Sequence, residues 1–187
     1  GDVATDFPLP EGIREAIGRR LDLLPAETVA MLRTAAVIGR SFDLALLGRL
    51  TPDRDEGSIL GALEGSVDAR IAEEASAGRW RFSHALIGEA LLEELSASRR
   101  VRLHADIAAA LEAVPDSEPG RSAADLFRHH REASVLLGTA GMVRAAIRAA
   151  GEALRAEANE NALAYLDAAI EAKRQHDGDA EMDRELA

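Results

Sequence analysis

The spacing of apolar residues predicts a chain built mainly of helices. Apolar side chains recur at intervals of three and four residues through most of the sequence, which is the period of a helix with one buried face. Proline and glycine fall between these stretches and mark where one helix ends and the next begins. The predicted helices cover residues 11–24, 25–39, 43–50, 57–69, 85–95, 96 or 98 to 114, 121–137, 140–156 and 159–175. Pro25 is expected in the first turn of its helix, and Asp43 is expected to cap the helix that follows it.

One short stretch has the period of a strand instead. Trp80 and Phe82 alternate with Arg79, Arg81 and Ser83, as expected for a strand with one buried face. Residues 70–74 and 79–83 flank a four-residue loop that contains a glycine, which is hairpin spacing. In a winged helix-turn-helix domain, three helices are followed by one β-hairpin. The first part of this chain has the same order of predicted elements, so the sequence predicts that fold.

The helix in the DNA-recognition position of such a domain lacks the expected chemistry. Residues 57–69 include Glu64 and Asp68 and no basic residue, whereas helices that read the major groove usually carry arginine, lysine, asparagine or glutamine. The net charge of −11 also opposes contact with phosphates. We therefore expect no direct nucleic-acid binding, although Arg79 and Arg81 lie on the hairpin.

His84 is the candidate site residue, because it lies where the strand changes into a helix. Unpaired N–H groups and the positive end of the helix dipole favour an anion such as a phosphate at that junction, and an imidazole adds a donor. A histidine that caps the helix, or that satisfies a buried polar group, would occupy the same position. The residues alone leave both interpretations open.

Composition limits the remaining function classes. The sequence has no cysteine, so neither disulfides nor thiolate chemistry is available, which fits a reducing cytosol. No apolar run approaches the roughly 20 residues of a membrane-spanning helix, so we expect a soluble, cytoplasmic protein without membrane contact. The only lysine, Lys173, lies in an amphipathic stretch and not in a phosphate-binding loop. We expect no enzymatic activity and no cofactor in this chain.

The other histidines offer weaker candidates. His129, His130 and Glu132 are close in sequence, but adjacent histidines point to different faces of a helix and no second cluster completes a metal shell. We therefore expect no metal site there. His104 is expected to pack or to hydrogen-bond within its own helix.

The break at residues 115–120, which contains two prolines and a glycine, is the predicted domain boundary. It divides an extended lead-in at 1–10 and a winged-helix-type domain at 11–114 from a helical-repeat region at 121–175. A charged tail or truncated helix follows at 176–187. The helices at 140–156 and 159–175 resemble a tetratricopeptide pair, with Ala150 at the small position of the first helix and Ala162, Leu166 and Ala169 at the corresponding positions of the second. Alanines at 146 and 153 replace the large residues of that repeat. We expect the chain, which lacks an initial methionine, to be a piece of a longer protein.

Four segments together carry a family resemblance: Ile13 to Pro25, Leu32 to Asp43, Phe82 to Leu91 and Arg99 to Ala108. They resemble the region that follows the nucleotide-binding domain in large bacterial signal-transduction ATPases of the STAND type. These include LuxR-type transcriptional regulators with a central ATPase and related multidomain nucleotide cyclases. The chain alone does not distinguish these two outputs.

The resemblance implies a regulatory, non-catalytic segment. An upstream ATPase domain would bind ADP or ATP with magnesium, and the helical repeats would sense an inducer or a protein partner. In the wider superfamily a Met-His-Asp motif contacts the β-phosphate of ADP, and the resemblance places His84 at its histidine. Ser83 and Ala85 replace the flanking methionine and aspartate, and Gly88 stands where relatives commonly carry arginine. The alternative is a plain protein-interaction scaffold in which His84 is structural.

Overall fold

The computed structural model describes residues 10–114 and 122–175. Contacts divide the chain into two compact units, Gly1–Ser96 and Ala97–Ala187. The predicted lead-in, apart from Pro10, the predicted boundary at 115–120 and the charged tail lie outside the described residues. The first helix after Ser96, which the sequence analysis included in the first domain, belongs to the second unit.

The first unit contains helices at the positions that the apolar pattern indicated. They are α1 (Glu11–Leu21), α2 (Ala26–Ile38), α3 (Leu44–Leu50), α4 (Glu56–Asp68) and α5 (Ala85–Glu93). Pro25 precedes the first turn of α2, where a missing N–H costs nothing, and Gly39 follows its last residue with a φ of 147°. α1 is shorter than predicted, because the chain turns at residues 22–24 before Pro25.

A small antiparallel sheet completes this unit. Its strands are β1 (Ser41–Asp43), β2 (Ala72–Ser76) and β3 (Arg79–Phe82), arranged in the order β1-β3-β2. The hairpin β2–β3 was predicted, but β1 was not. β1 lies antiparallel to β3, with Phe42 opposite Trp80. Three residues are too few for an alternating pattern to be visible in the sequence, so only the pairing with β3 identifies β1 as a strand.

Two polar details fix how α3 leaves the sheet. The Asp43 carboxylate accepts hydrogen bonds from the backbone N–H groups of Ala45 and Leu46, which confirms the predicted N-cap. The N–H of Leu44 donates to the carbonyl of Gly78 at 2.8 Å. Gly78 has a φ of 74°, a conformation that favours glycine in the hairpin turn.

The core of the first unit lies between the sheet and the helices. Phe42 and Phe82 lie on neighbouring strands with ring centroids 5.5 Å apart. Trp80 and Phe82 are the two buried residues of β3, and they alternate with the exposed Arg79 and Arg81. The aliphatic side chains that are almost fully buried come from α2, α3, α4, α5 and the start of the hairpin: Leu32, Leu47, Ile59, Leu63, Ile71, Ile87 and Leu91.

The second unit is helical throughout its described part. It contains α6 (Ala97–Glu112), α7 (Ala123–Glu132), the short α8 (Ser134–Leu137), α9 (Ala140–Arg155) and α10 (Asn159–Gln175). α7 packs against α6 and α9, and α9 packs against α10. Phe127 of α7 meets Tyr165 of α10 edge to face, with centroids 5.3 Å apart.

The pair α9–α10 buries small side chains and exposes large ones. Alanines form most of its buried surface: Ala145, Ala146, Ala149, Ala150, Ala162, Ala169 and Ala172. Ile147, Leu154, Leu163 and Ile170 are about half exposed or more. Across residues 10–114 and 122–175, none of the helices has the length and apolar character needed to cross a membrane.

Candidate functional site

His84 lies between β3 and α5, as the change of period predicted. It is exposed, has extended backbone angles and is the N-cap residue of α5. Its Nδ1 atom accepts a hydrogen bond from the N–H of Leu86 at 3.3 Å. His84 therefore caps the helix, which is one of the two interpretations that the sequence left open.

This cap has a consequence for the other interpretation. Because Nδ1 acts as an acceptor, the hydrogen of a neutral His84 ring lies on Nε2. The ring therefore presents an N–H donor beside the positive end of α5. A phosphate oxygen is the kind of acceptor that such a donor fits, so capping and anion contact are compatible in one side chain.

The backbone around His84 is held by the sheet. The N–H of Ser83 donates to the carbonyl of Ile71 at 3.0 Å, and that of Phe82 donates to the carbonyl of Arg40 at 3.1 Å. Behind the site, Gly88 of α5 lies over the Phe82 ring, and a Cβ at residue 88 would be 3.5 Å from Phe82 Cδ2. These contacts fix the backbone at the junction of β3 and α5, and therefore the position of His84.

The charges near the hairpin are partly neutralised. Arg81 of β3 forms an ion pair with Glu73 of β2 at 2.6 Å, so the charge of this arginine is partly neutralised. Arg79 is exposed at the start of the same strand. On α4, Glu64 and Asp68 are exposed, which gives that helix an acidic outer surface.

The second unit contains a histidine cluster that the sequence analysis did not predict. His104 is buried, but its hydrogen bond crosses to α7: its Nδ1 atom lies 2.9 Å from Nδ1 of His129. Of the two expectations for His104, packing is confirmed because the ring is buried, whereas a hydrogen bond within its own helix was wrong. His129 is 25 positions away in sequence, and periodicity alone does not show which helices pack together.

His130 points away from that pair. Its Nε2 atom lies 2.8 Å from Oε1 of Glu112 on α6. Its Nδ1 atom is buried and has no hydrogen-bond partner within the described part of the chain. Adjacent histidines of α7 thus make separate contacts, and among the described residues there is no group of three or more His, Cys, Asp or Glu side chains placed to hold a metal ion.

Burial shapes the chemistry of His104. The loss of hydration lowers its pKa to about 4, with Glu132 acting in the opposite direction and with Arg128 and Arg100 adding to the decrease. Burial disfavours the charged imidazolium, so this ring is neutral at neutral pH. It therefore acts as a hydrogen-bonding core residue under those conditions.

Comparisons with known proteins add no further assignment. No protein-family model, no curated protein and no solved structure matches the chain.

Proposed function

We propose that the chain is a non-catalytic regulatory segment of a STAND-type ATPase, in which His84 reports the nucleotide state of a preceding nucleotide-binding domain. The observation that carries this proposal is the combination at His84. An exposed imidazole caps α5 through Nδ1 and so presents its hydrogen on Nε2 at a helix N-terminus. That arrangement is suited to a β-phosphate oxygen of ADP.

The arrangement of the first unit supports a winged-helix fold. The elements run α2, β1, α3, α4, β2 and β3, and the sheet has the order β1-β3-β2. In a winged helix-turn-helix domain the same sequence of helices precedes a hairpin whose second strand lies in the middle of the sheet. We assign α4 to the recognition position and β2–β3 to the wing.

The chemistry of α4 favours a winged helix that acts within a larger protein. Its exposed Glu64 and Asp68 would lie against DNA phosphates or base edges, where carboxylates are repelled. Arg81 on the wing is already paired with Glu73. Duplex DNA is therefore a poor partner for this surface, and salt-sensitive DNA binding would contradict the assignment.

The second unit supplies the proposed sensor. α9 and α10 are antiparallel neighbours of similar length joined by a short turn, and Ala150, Ala162 and Ala169 are buried at the small positions of a tetratricopeptide-like pair. Inducer or partner binding to this region would withdraw the winged helix from ADP and permit exchange for ATP. A few kcal/mol of differential affinity is enough to bias such an equilibrium.

The test compares ADP affinity in a protein that carries this chain behind its nucleotide-binding domain. His84→Asn keeps a side-chain acceptor at the N-cap and removes the Nε2–H donor, whereas His84→Ala removes both. A phosphate contact predicts weaker ADP binding in both variants, with ATP affinity less affected. ADP affinity equal to wild type in His84→Asn would restrict His84 to capping.

A scaffold without nucleotide sensing is the second candidate, because one observation favours it. Ile147, Leu154, Leu163 and Ile170 expose apolar surface on α9 and α10, and exposed apolar side chains on neighbouring helices are common at protein interfaces. Under this alternative the chain binds a partner through α9–α10, and substitution of His84 leaves nucleotide affinity unchanged. The ADP measurement therefore separates the two candidates.

A further inference from the structure

The second unit contains a buried contact whose hydrogen bonding depends on protonation. His104 of α6 and His129 of α7 face each other through their Nδ1 atoms at 2.9 Å. The exposed fractions of the two residues are 7% and 0%. One hydrogen fits between two nitrogens at this distance, so one ring donates and the other accepts.

A neighbouring arginine determines which ring donates. The Arg128 guanidinium has an NH2 nitrogen 3.0 Å from Nε2 of His129, and a guanidinium only donates. Nε2 of His129 is therefore the acceptor, and the hydrogen of this ring lies on Nδ1. His104 must then accept through Nδ1 and carry its own hydrogen on Nε2.

Protonation of His104 disrupts this arrangement. A proton added to His104 binds Nδ1, and two N–H groups then face each other across the α6–α7 contact. This step also places a positive charge in a buried position, which is costly without a compensating partner.

Two of the three charged groups that act on the pKa of His104 oppose a positive charge on this ring. On α6, Arg100 lowers the pKa of His104, and on α7 Arg128 does the same while Glu132 raises it. His130 of α7 and Glu112 of α6 pair with each other at 2.8 Å. α8, which packs against α6 and α7, has no ionisable side chain.

α9 also packs against α7. Its ionisable residues are Arg144, Arg148, Glu152 and Arg155. The Glu152 carboxylate lies 3.4 Å from the N–H of Ala123 at the start of α7.

We propose that the His104–His129 contact is an acid-sensitive lock between α6 and α7. The lock holds these helices together while both rings are neutral and weakens when the His104 ring gains a proton. Acidification would therefore loosen α6 from α7 before it affects the first unit. This inference is independent of the proposed role of His84.

Hydrogen–deuterium exchange of the full 187-residue chain tests the lock region by region. Amide protection is compared at pH 7 and pH 5 after correction for the intrinsic pH dependence of exchange. In the wild type we expect protection of α6 and α7 to fall by about tenfold or more at pH 5. Protection of α4 in the first unit should change much less.

A matched pair of variants connects the effect to His104. His104→Asn keeps an acceptor oxygen near the position of Nδ1 but does not titrate, so the selective loss at pH 5 should disappear. His84→Asn, which changes an exposed histidine of the other unit, should retain it. An equal loss in wild type and His104→Asn, or no selective loss in the wild type, would overturn the proposal.

Ring NMR of the wild type keeps the proposal testable if His104→Asn does not fold. The ¹⁵N shifts at pH 6 should show two fixed neutral tautomers, with hydrogen on Nε2 of His104 and on Nδ1 of His129. A protonated ring, or a rapidly averaging mixture of tautomers, at either residue would contradict the lock.

Discussion

The His130 ring lies directly on the backbone of Gly141. A Cβ built on Gly141 would be 2.6 Å from His130 Nδ1, well inside van der Waals contact. His130 is buried and its Nε2 contacts Glu112, so the ring is held on one side by α6 and on the other by α9. Glycine at the start of α9 is therefore a packing requirement of this unit.

Gly141→Ala should destabilise the second unit, because the added methyl group displaces a confined ring. The expected cost is roughly 1–3 kcal/mol in the free energy of unfolding, the usual range for overpacking. Urea unfolding followed by far-UV circular dichroism measures this change.

Gly151→Ala is the matched control on the same helix. Within residues 10–114 and 122–175, nothing lies within 4 Å of a Cβ at Gly151, so alanine should be neutral or should stabilise the helix by up to about 1 kcal/mol. If both alanine variants change stability by the same amount, the His130–Gly141 contact is not what makes glycine necessary at residue 141.

Asp43→Ala should weaken the connection between the sheet and α3. The carboxylate accepts from two backbone N–H groups, and removal of such a cap costs about 1 kcal/mol. Trp80, the only tryptophan, is buried in the first unit and reports its unfolding by fluorescence. Asp53→Ala, in the exposed turn after α3, should change stability by less than half as much.

The sequence predicted those parts of the fold that depend on local chemistry. The period of the apolar residues located the helices, Asp43 and Pro25 marked helix starts, and the alternation around Trp80 located β3. Each of these signals operates within a few neighbouring residues. They were therefore visible without knowledge of the tertiary structure.

The features that the sequence missed arise between distant segments. β1 is recognisable as a strand through its pairing of Phe42 with Trp80. The His104–His129 contact joins two helices through residues 25 positions apart in sequence. The position of His84 was correctly predicted, because a change from strand to helix period is itself local.

The pKa of His104 gives the second unit a defined pH dependence. The folded value of about 4 lies below the ordinary 6.5, so the unfolded chain binds the proton more readily between these two values. The contribution of His104 to stability is therefore complete above pH 6.5 and is lost progressively as the pH falls towards 4. The full loss is on the order of 3 kcal/mol.

Urea unfolding at pH 7.5 and 4.5 measures that dependence. Far-UV circular dichroism follows both units, and Trp80 fluorescence follows the first unit alone. His104→Asn should reduce the acid-dependent loss of stability seen by circular dichroism and leave the Trp80 transition unchanged. Identical pH dependence in the variant and the wild type would exclude His104 as its source.

The capping role of His84 can be measured in this chain alone, separately from its proposed contact with nucleotide. His84→Ala removes the acceptor of the Leu86 N–H and should cost about 1 kcal/mol of stability, whereas His84→Asn should cost only a few tenths. Thermal unfolding followed by Trp80 fluorescence measures both. Equal stability of the two variants would mean that the Nδ1 cap contributes little.

The most direct test of the central claim is the rate of ADP release with His84→Asn. Stopped-flow displacement of a fluorescent ADP is measured in a protein that carries this chain behind its nucleotide-binding domain. A lost hydrogen bond to a charged phosphate predicts release about ten- to hundredfold faster than in wild type. Release at the wild-type rate, with an intact fold and nucleotide site, would contradict the sensor and leave His84 as the N-cap of α5.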